Sequence, residues 1–196
     1  MTDLFRPTGI QRMTSEGNAL EADHLAKETL LHLQDHTGTF VSLLGTPSDL
    51  QPLFFGHCIS EGIRVPKTDA LTITTTLEGG YYIQSKEHLV ERSETTTTNR
   101  IVTTSCGACD APGLDDLIVG LPLFDGGFQH VDLHVLAKGF EHMKAQQLGF
   151  TATGGMHGAA LHTATDGIIH LAEDIGRHNA VDKVVGMDWM SEEPAL

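Results

Sequence analysis

An Asp-Gly pair between two short apolar runs is the feature that most restricts the fold of this sequence. Residues 159–161 (AAL) and 168–171 (IIHL) are mostly apolar, and Asp166-Gly167 lies between them. Asp-Gly is typical of tight hairpin turns, which need positive φ angles at their central positions. The sequence therefore predicts a β-hairpin over about 159–171.

Residues at helical spacing flank this hairpin and predict a helix on each side. Asp132 is expected to open the first helix and Gly149 to end it. Asp174 is expected to cap the second, which Gly186 would end, leaving residues 187–196 as a polar tail. The predicted buried stripe of the first helix is Leu133, Leu136, Phe140, Met143 and Leu148.

The first half of the chain is predicted to be mostly β. Residues 21–32 (EADHLAKETLLH) suggest a short helix, and residues 40–44 a strand. Alternating Thr and apolar residues over 72–77, then Gly79-Gly80 and residues 81–83, predict a hairpin.

A further helix is expected within this β-rich half. Ser48 is a suitable N-cap, Leu50, Leu53, Phe54 and Cys58 recur at helical spacing, and Gly62 is placed to stop the helix. Cys58 on the apolar face is interpreted as a packed core cysteine.

Pro122 and Gly126-Gly127 interrupt the pattern near residue 125. We therefore expect a mostly β N-terminal region over 1–125, a helix-hairpin-helix core over 126–186 and the tail over 187–196. The fold class is α+β or α/β.

The charge balance argues against nucleic acid as a main partner. Twelve Lys and Arg stand against 26 Asp and Glu, a net charge of −14, and no basic stripe is present. No segment has the length and hydropathy of a signal peptide or membrane span. Three cysteines do not form a disulfide scaffold, so the reducing cytoplasm is the expected compartment.

Cys106 and Cys109 form a Cys-x-x-Cys pair around Gly107 and Ala108. Small residues allow a tight turn and leave both sulfurs accessible, and an accessible thiolate can carry sulfur as a persulfide. Spacing alone leaves three interpretations open, namely sulfur or redox chemistry, half of a zinc site, or an idle pair of thiols.

Gly154-Gly155, followed by His157, is the second candidate site. Adjacent glycines let the backbone approach a ligand closely, although an ordinary turn before a strand, with His157 packed, is an equal alternative.

Residues 173–179 (EDIGRHN) are the third. If Asp174 caps a helix, the free N–H groups of its first turn favour an anion, and Arg177 can add a phosphate contact. His178 and Asn179 would read a base edge or hold the loop. The alternatives are a well-capped helix, or Glu173 and His178 as acid and base. Asp182 and Lys183 are expected to be solvated or paired to a neighbouring turn.

These motifs together resemble the FdhD family, the sulfur carriers that mature formate dehydrogenase. The resemblance rests on residues 105–109 (SCGAC), 153–160 (TGGMHGAA) and 173–183 (EDIGRHNAVDK), in that order, with 55–63 (FGHCISEGI) upstream. It covers roughly residues 45–186.

The resemblance implies a sulfurtransferase with a cytidine-deaminase-like C-terminal domain. Family members accept persulfide sulfur from a cysteine desulfurase and deliver it to the molybdenum or tungsten bis-guanine-dinucleotide cofactor before insertion into apo-formate dehydrogenase. That cofactor is a transient substrate, so no permanently bound cofactor and no protein metal site are expected. Cys106 would bear the persulfide, with Cys109 as its partner. The implied cofactor-binding residues are Gly154, Gly155, His157, Asp174, Gly176, Arg177, His178 and Asn179.

The chain departs from the family pattern in two places. Asp110 stands where a small residue is usual, and its charge would raise the pKa of the neighbouring thiol. Family members also continue through further strands and helices beyond the position of Gly186. The deaminase-like domain is therefore expected to be incomplete, with an open sheet edge that favours a homodimer or another partner. The alternative functions are a binding-only cofactor chaperone and a zinc-dependent nucleotide hydrolase.

Overall fold

The computed structural model describes residues 4–90, 100–102, 132–163 and 167–194. Within these ranges the chain forms nine strands, four α-helices and one 3₁₀ turn. The strands are β1 (Phe5–Thr14), β2 (Gly17–Ala26), β3 (Thr29–Asp35), β4 (Gly38–Gly45), β5 (Leu71–Thr75), β6 (Tyr81–Ser85), β7 (Arg100–Val102), β8 (His157–Thr163) and β9 (Gly167–Asp174). The helices are α1 (Leu50–Ser60), α2 (Leu133–Gln146), α3 (Leu148–Thr153) and α4 (Arg177–Trp189).

The first two strands, of ten residues each, form an antiparallel hairpin, from Phe5 opposite Ala26 to Thr14 opposite Gly17. The helix predicted over 21–32 is therefore wrong, because this segment is divided between β2 and β3. Its helical spacing was only approximate, and long-range strand pairing overrides weak local propensity.

A five-stranded sheet in the order β5-β6-β3-β4-β7 forms the centre of the N-terminal part. β3 pairs antiparallel with β4 and parallel with β6, and β4 pairs parallel with β7. The predicted hairpin is confirmed as β5–β6, with Gly79 at φ 85° in its turn. Gly79 is needed there because other residues rarely adopt that region.

Helix α1 covers this sheet and completes the core. Leu53, Phe54, Phe55 and Cys58 are fully buried, so the core assignment of Cys58 is confirmed. Gly62 at φ 63° follows the helix as predicted, and Ile63 N–H donates to the Cys58 carbonyl. Ser48 is not the N-cap. Asp49 holds that position, and the Ser48 hydroxyl accepts a hydrogen bond from Lys183.

Helix α2 begins at Asp132 as predicted, and the Asp132 carboxylate accepts from His134 N–H at 2.8 Å. The helix ends at Gln146, and Gly149 lies inside α3 rather than ending α2. The predicted buried stripe is wrong, because Leu133 and Phe140 are 78% and 66% exposed and no α2 side chain is buried. Periodicity defines an apolar face but does not supply the element that buries it.

The β8–β9 hairpin is confirmed, with Gly167 at φ 77° after the turn. Helix α4 follows and packs against α1 at very short range. A Cβ added to Gly56 would overlap the Asp182 carbonyl, and one added to Gly186 would overlap the Pro52 carbonyl. Gly186 therefore does not end the helix. It allows close contact inside α4, which runs to Trp189 and takes in the start of the predicted tail.

The fold is mixed α/β, with a strand-rich N-terminal part and a helical C-terminal part. α1 and α4 come from opposite sides of the boundary predicted near residue 125, which lies outside the described residues. The division into domains and the cytidine-deaminase likeness stay predictions. Within the described residues, no helix combines the length and hydropathy that a membrane crossing requires.

Candidate functional site

The β8–β9 hairpin brings two of the sequence-predicted site segments together. His157, the first residue of β8, pairs with Asp174, the last residue of β9. The glycine turn that precedes β8 and the turn that leads into α4 therefore lie at the same end of the hairpin. Antiparallel pairing juxtaposes segments that are about twenty residues apart in the sequence.

Beneath this end lies a buried ion pair between β9 and α4. Lys183 Nζ is 2.7 Å from Asp174 Oδ2, and both side chains have no exposed surface. Nζ also donates to the Thr46 carbonyl, the Ser48 hydroxyl and the Glu173 carbonyl at 3.1–3.2 Å. The expectation of a solvated Lys183 is wrong, whereas the alternative, an ion pair to a neighbouring turn, is confirmed, because the chain passes from Asp174 into the turn before α4. A buried ammonium needs these partners because desolvation of an unpaired charge is costly.

The Asp174 carboxylate is saturated by protein donors. It accepts from Thr46 N–H at 3.0 Å, from Gly176 N–H at 2.7 Å and from Asn179 Nδ2 at 3.0 Å. Asn179 Nδ2 also donates to the Leu44 carbonyl. The helix N-cap is Gly176 rather than Asp174. Asp174 and Asn179 thus fix the start of α4 to the end of β4, and any contact of theirs with a ligand stays a prediction.

Glu173 positions the helix that leads to the Gly154-Gly155 turn. Its buried carboxylate accepts from Gly149 N–H and Phe150 N–H, both at 2.7 Å, and so caps the first turn of α3. Helix α3 ends at Gly154, which has φ 64°. Glu173 therefore positions the Gly154-Gly155 turn, which is a structural task for the carboxylate proposed above as an acid or base.

The exposed part of the site consists of Gly154, Gly155, His157, Arg177 and His178. The N-cap residue of α4 is Gly176, which has no side chain that could cap the first turn. The N–H groups at the start of a helix carry partial positive charge and favour an anion. In a chain with a net charge of −14, the exposed part of this site carries one Arg and two His residues.

A second buried contact joins the site helix to α1. Asp182 Oδ1 accepts from Ser60 Oγ at 2.7 Å, and Asp182 Oδ2 lies 3.2 Å from His57 Nδ1. Sequence reasoning missed Thr46, His57 and Lys183 as supports of the site. The available signal was the polar residues within 55–63. His57 and Ser60 interrupt the apolar sequence of α1, and both contact Asp182 of α4.

Cys106 and Cys109 lie outside the described residues, as does Asp110. The strand that precedes them is described, however. β7 ends at Val102, which pairs with Leu43 in a parallel ladder. Because β7 is parallel to β4, the chain leaves β7 at the same end of the sheet at which β4 leads to Thr46. The Thr46 N–H donates to the Asp174 carboxylate.

Comparison with known proteins decides the relationship. The FdhD/NarQ family model matches residues 26–195, which is most of the chain. The chain belongs to the FdhD/NarQ family. The resemblance found in the motifs at 105–109, 153–160 and 173–183 is thereby confirmed.

Curated relatives in this family are similar over much of this chain. The sulfur carrier protein FdhD of Sulfurisphaera tokodaii is 31% identical over 178 residues, which cover 89% of this chain and 66% of that protein. The protein of the same name from Streptomyces coelicolor is 32% identical over 175 residues, or 84% and 62% of the two chains. This chain therefore spans about two thirds of the length of these FdhD relatives.

A solved structure supports the fold. A crystal structure of a protein assigned as a formate dehydrogenase accessory protein, from Desulfotalea psychrophila, superimposes with a TM-score of 0.65. The match covers 93% of this chain and 68% of the other, at 18% sequence identity. At that identity the likeness shows the fold alone.

Proposed function

We propose that this FdhD/NarQ family member is a sulfurtransferase that carries sulfur on Cys106. It would accept the sulfur from a cysteine desulfurase and pass it to the molybdenum or tungsten bis-guanine-dinucleotide cofactor of a formate dehydrogenase. The relatives named sulfur carrier proteins support the carrier role. The cytidine-deaminase-like arrangement, a cytoplasmic location and a homodimer belong to the same proposal.

The observation that carries this proposal is the exposed first turn of α4. A guanine-dinucleotide tail contains a pyrophosphate, which suits a helix N-terminus with Arg177 and His178 beside it. The Asp174–Lys183 pair holds the turn in place, so little ordering would be required when an anion binds.

Chain connectivity supports a sulfur donor next to this turn. Val102 lies on the sheet beside Leu43, and Cys106 follows only four residues later. Four extended residues span at most about 14 Å. A thiol on such a tether is within range of a ligand bound where β4 meets α4.

The chemistry requires two sulfur exchanges. In the first, the Cys106 thiolate attacks the outer sulfur of the desulfurase persulfide, and the desulfurase cysteine leaves as a thiolate. In the second, the Cys109 thiolate attacks the inner sulfur of the Cys106 persulfide. That step forms a Cys106–Cys109 disulfide and releases hydrosulfide for the cofactor metal. An external dithiol must then reduce the disulfide before the next cycle.

Loading of sulfur tests the assignment of the cysteines. After incubation with a desulfurase and L-cysteine, mass spectrometry should find one added sulfur atom on the peptide that contains residue 106. Cys106→Ala should abolish this addition, whereas Cys109→Ala should retain it and release it slowly. Equal loading of Cys106→Ala would show that Cys106 is not the carrier.

Binding of GDP tests the nucleotide site, with GDP standing for the guanine end of the cofactor. Arg177→Ala should weaken binding by about tenfold or more, since charge-assisted hydrogen bonds are worth about 1.5–3 kcal/mol. Arg64→Ala is the matched control, because Arg64 is exposed and pairs with Glu87 rather than with a residue of the candidate site. Equal affinity of both variants for GDP would overturn the assignment.

A binding-only chaperone is the second candidate, and the same exposed turn favours it. The two functions separate in a variant in which both Cys106 and Cys109 are replaced by Ala. If this variant still binds GDP and fully restores formate dehydrogenase activity, the chaperone is correct and the sulfur carrier is wrong. Stoichiometric zinc bound by the thiols would instead favour the nucleotide hydrolase.

A further inference from the structure

Three potential metal ligands cluster at the end of the central sheet that lies away from the start of α4. They are Asp35 at the end of β3, His36 in the β3–β4 turn and His88 after β6. One ligand atom from each lies within 4.8 Å of the other two. The His36 and His88 rings meet edge to face, with centroids 5.1 Å apart.

Hydrogen bonds hold the two backbone segments in place. Asp35 Oδ1 accepts from the Thr37 amide at 2.8 Å and from the Thr37 hydroxyl at 2.5 Å. Asp35 Oδ2 accepts from Leu89 N–H at 3.2 Å and Val90 N–H at 3.4 Å. One fully buried carboxylate thus ties the segment around His88 to the β3–β4 turn.

The two histidine side chains retain the rotational freedom that coordination needs, whereas the Asp35 carboxylate is held in place by its hydrogen bonds. Both histidines are exposed, and His88 Nδ1 lies 3.4 Å from Asp35 Oδ2. Ligand atoms in a tetrahedral zinc site lie about 2.0–2.1 Å from the ion and hence about 3.3 Å from one another. Coordination of an ion would therefore require the two exposed rings to turn toward the Asp35 carboxylate.

We propose that Asp35, His36 and His88 bind one divalent transition-metal ion of the zinc class. Two imidazoles and one carboxylate are the donors that suit zinc and its neighbours rather than magnesium or calcium. Three protein ligands leave a fourth position for water or for a group from another molecule. The ion would fasten the segment that follows β6 to the β3–β4 turn.

This site is separate from the sulfur and nucleotide chemistry proposed above. The β3–β4 turn and the start of α4 lie at opposite ends of β4, from Gly38 to Gly45. The seven residue-to-residue steps between Gly38 and Gly45 span about 23 Å. The metal proposal therefore does not depend on the proposed function, and either can fail alone.

The test measures zinc binding by calorimetry in the full chain. Cys106 and Cys109 are first replaced by Ser, because thiols bind zinc themselves. Adding His36→Ala and His88→Ala to this background should weaken zinc binding by at least about 10–100-fold, the range found for groups that merely orient a ligand. His142→Ala, an exposed histidine on α2, is the matched control and should leave the affinity unchanged.

Thermal unfolding gives a second measurement. Zinc should raise the Tm of the background and of the His142→Ala variant, since a ligand that binds the folded state stabilises it. It should not raise the Tm when His36 and His88 are both absent. If the double alanine variant does not fold, His88→Gln retains a hydrogen-bonding side chain and removes a metal ligand, and its zinc affinity decides. Equal zinc affinity with and without the histidines, or no binding in the background, would overturn the proposal.

Discussion

Lys183 Nζ and Asp174 Oδ2 lie 2.7 Å apart with both side chains fully buried, nine residues apart in sequence at the junction of β9 and α4. The remaining donors and acceptors of the pair are satisfied by hydrogen bonds with Thr46, Ser48, Glu173, Gly176 and Asn179. The pair connects the end of β4 to the turn that presents Arg177 and His178. Its integrity therefore bears on both stability and the candidate site.

Replacing Lys183 should destabilise the protein strongly. Lys183→Met leaves the Asp174 carboxylate buried without its counter-charge, and such a loss costs about 3–5 kcal/mol. Lys144→Met, at an exposed position of α2, should change the free energy of unfolding by less than about 0.5 kcal/mol. Urea unfolding can be followed by the fluorescence of Trp189, the only tryptophan, which stacks on Phe55. Similar stabilities of the two variants would contradict the buried pair.

The α1–α4 contact should not tolerate a methyl group. Gly56→Ala places a Cβ against the Asp182 carbonyl and Gly186→Ala places one against the Pro52 carbonyl, so each should cost at least about 1–3 kcal/mol. Gly9→Ala is the control, because nothing lies within 4 Å of a Cβ added there. Both helix variants should also change the Trp189 emission, since separation of α1 from α4 alters its contact with Phe55. If Gly56→Ala or Gly186→Ala left the unfolding midpoint unchanged, α1 and α4 would not be in close contact at that glycine.

Cys58 should be inert in the folded protein. Burial, with a smaller contribution from the negative charge of Asp182, raises the pKa of the Cys58 thiol to about 12. The reactive thiolate is then scarce near neutral pH, and the sulfur is inaccessible. Alkylation with iodoacetamide, followed by peptide mass spectrometry, should modify residue 58 only after denaturation. Modification of Cys58 under native conditions, at the rate of a free thiol, would contradict its burial.

Asp35 should contribute to acid stability. Burial alone would raise its pKa, but hydrogen bonds from the Thr37 hydroxyl and from the N–H groups of Thr37, Leu89 and Val90 outweigh it. They lower the pKa from 3.8 to about 2. The difference corresponds to about 2 kcal/mol, present above the unfolded value and lost as the pH falls from about 4 to about 2.

Unfolding measured from about pH 5 to about pH 2, with a chelator present, checks this expectation. Asp35→Asn should be less stable at neutral pH and should lose less stability across that window. Asp69→Asn, at an exposed position, should keep the wild-type pH dependence. An identical pH dependence for wild type and Asp35→Asn would show that the low pKa is not realised.

Local signals in the sequence were sufficient where the backbone needs a particular conformation. Gly79, Gly167 and Gly62 all have positive φ where turns or a helix end were predicted. Gly186 failed as a helix stop because glycine also serves close packing, and the sequence does not distinguish the two uses. The apolar spacing in α2 correctly predicted a helix, but the apolar stripe that it defines is not buried.

The sequence by itself determined the family, through motifs at 105–109, 153–160 and 173–183, and the β5–β6 and β8–β9 hairpins with their turn residues. These depend on residue identity and on contacts between near neighbours. Only the tertiary structure decided which polar residues support the site and which are exposed at it. Thr46 is hydrogen-bonded to Asp174, which is 128 residues away in the sequence, and to Lys183, which is 137 residues away. Such partners are fixed by the packing of α4 against β4 and α1, which no local pattern encodes.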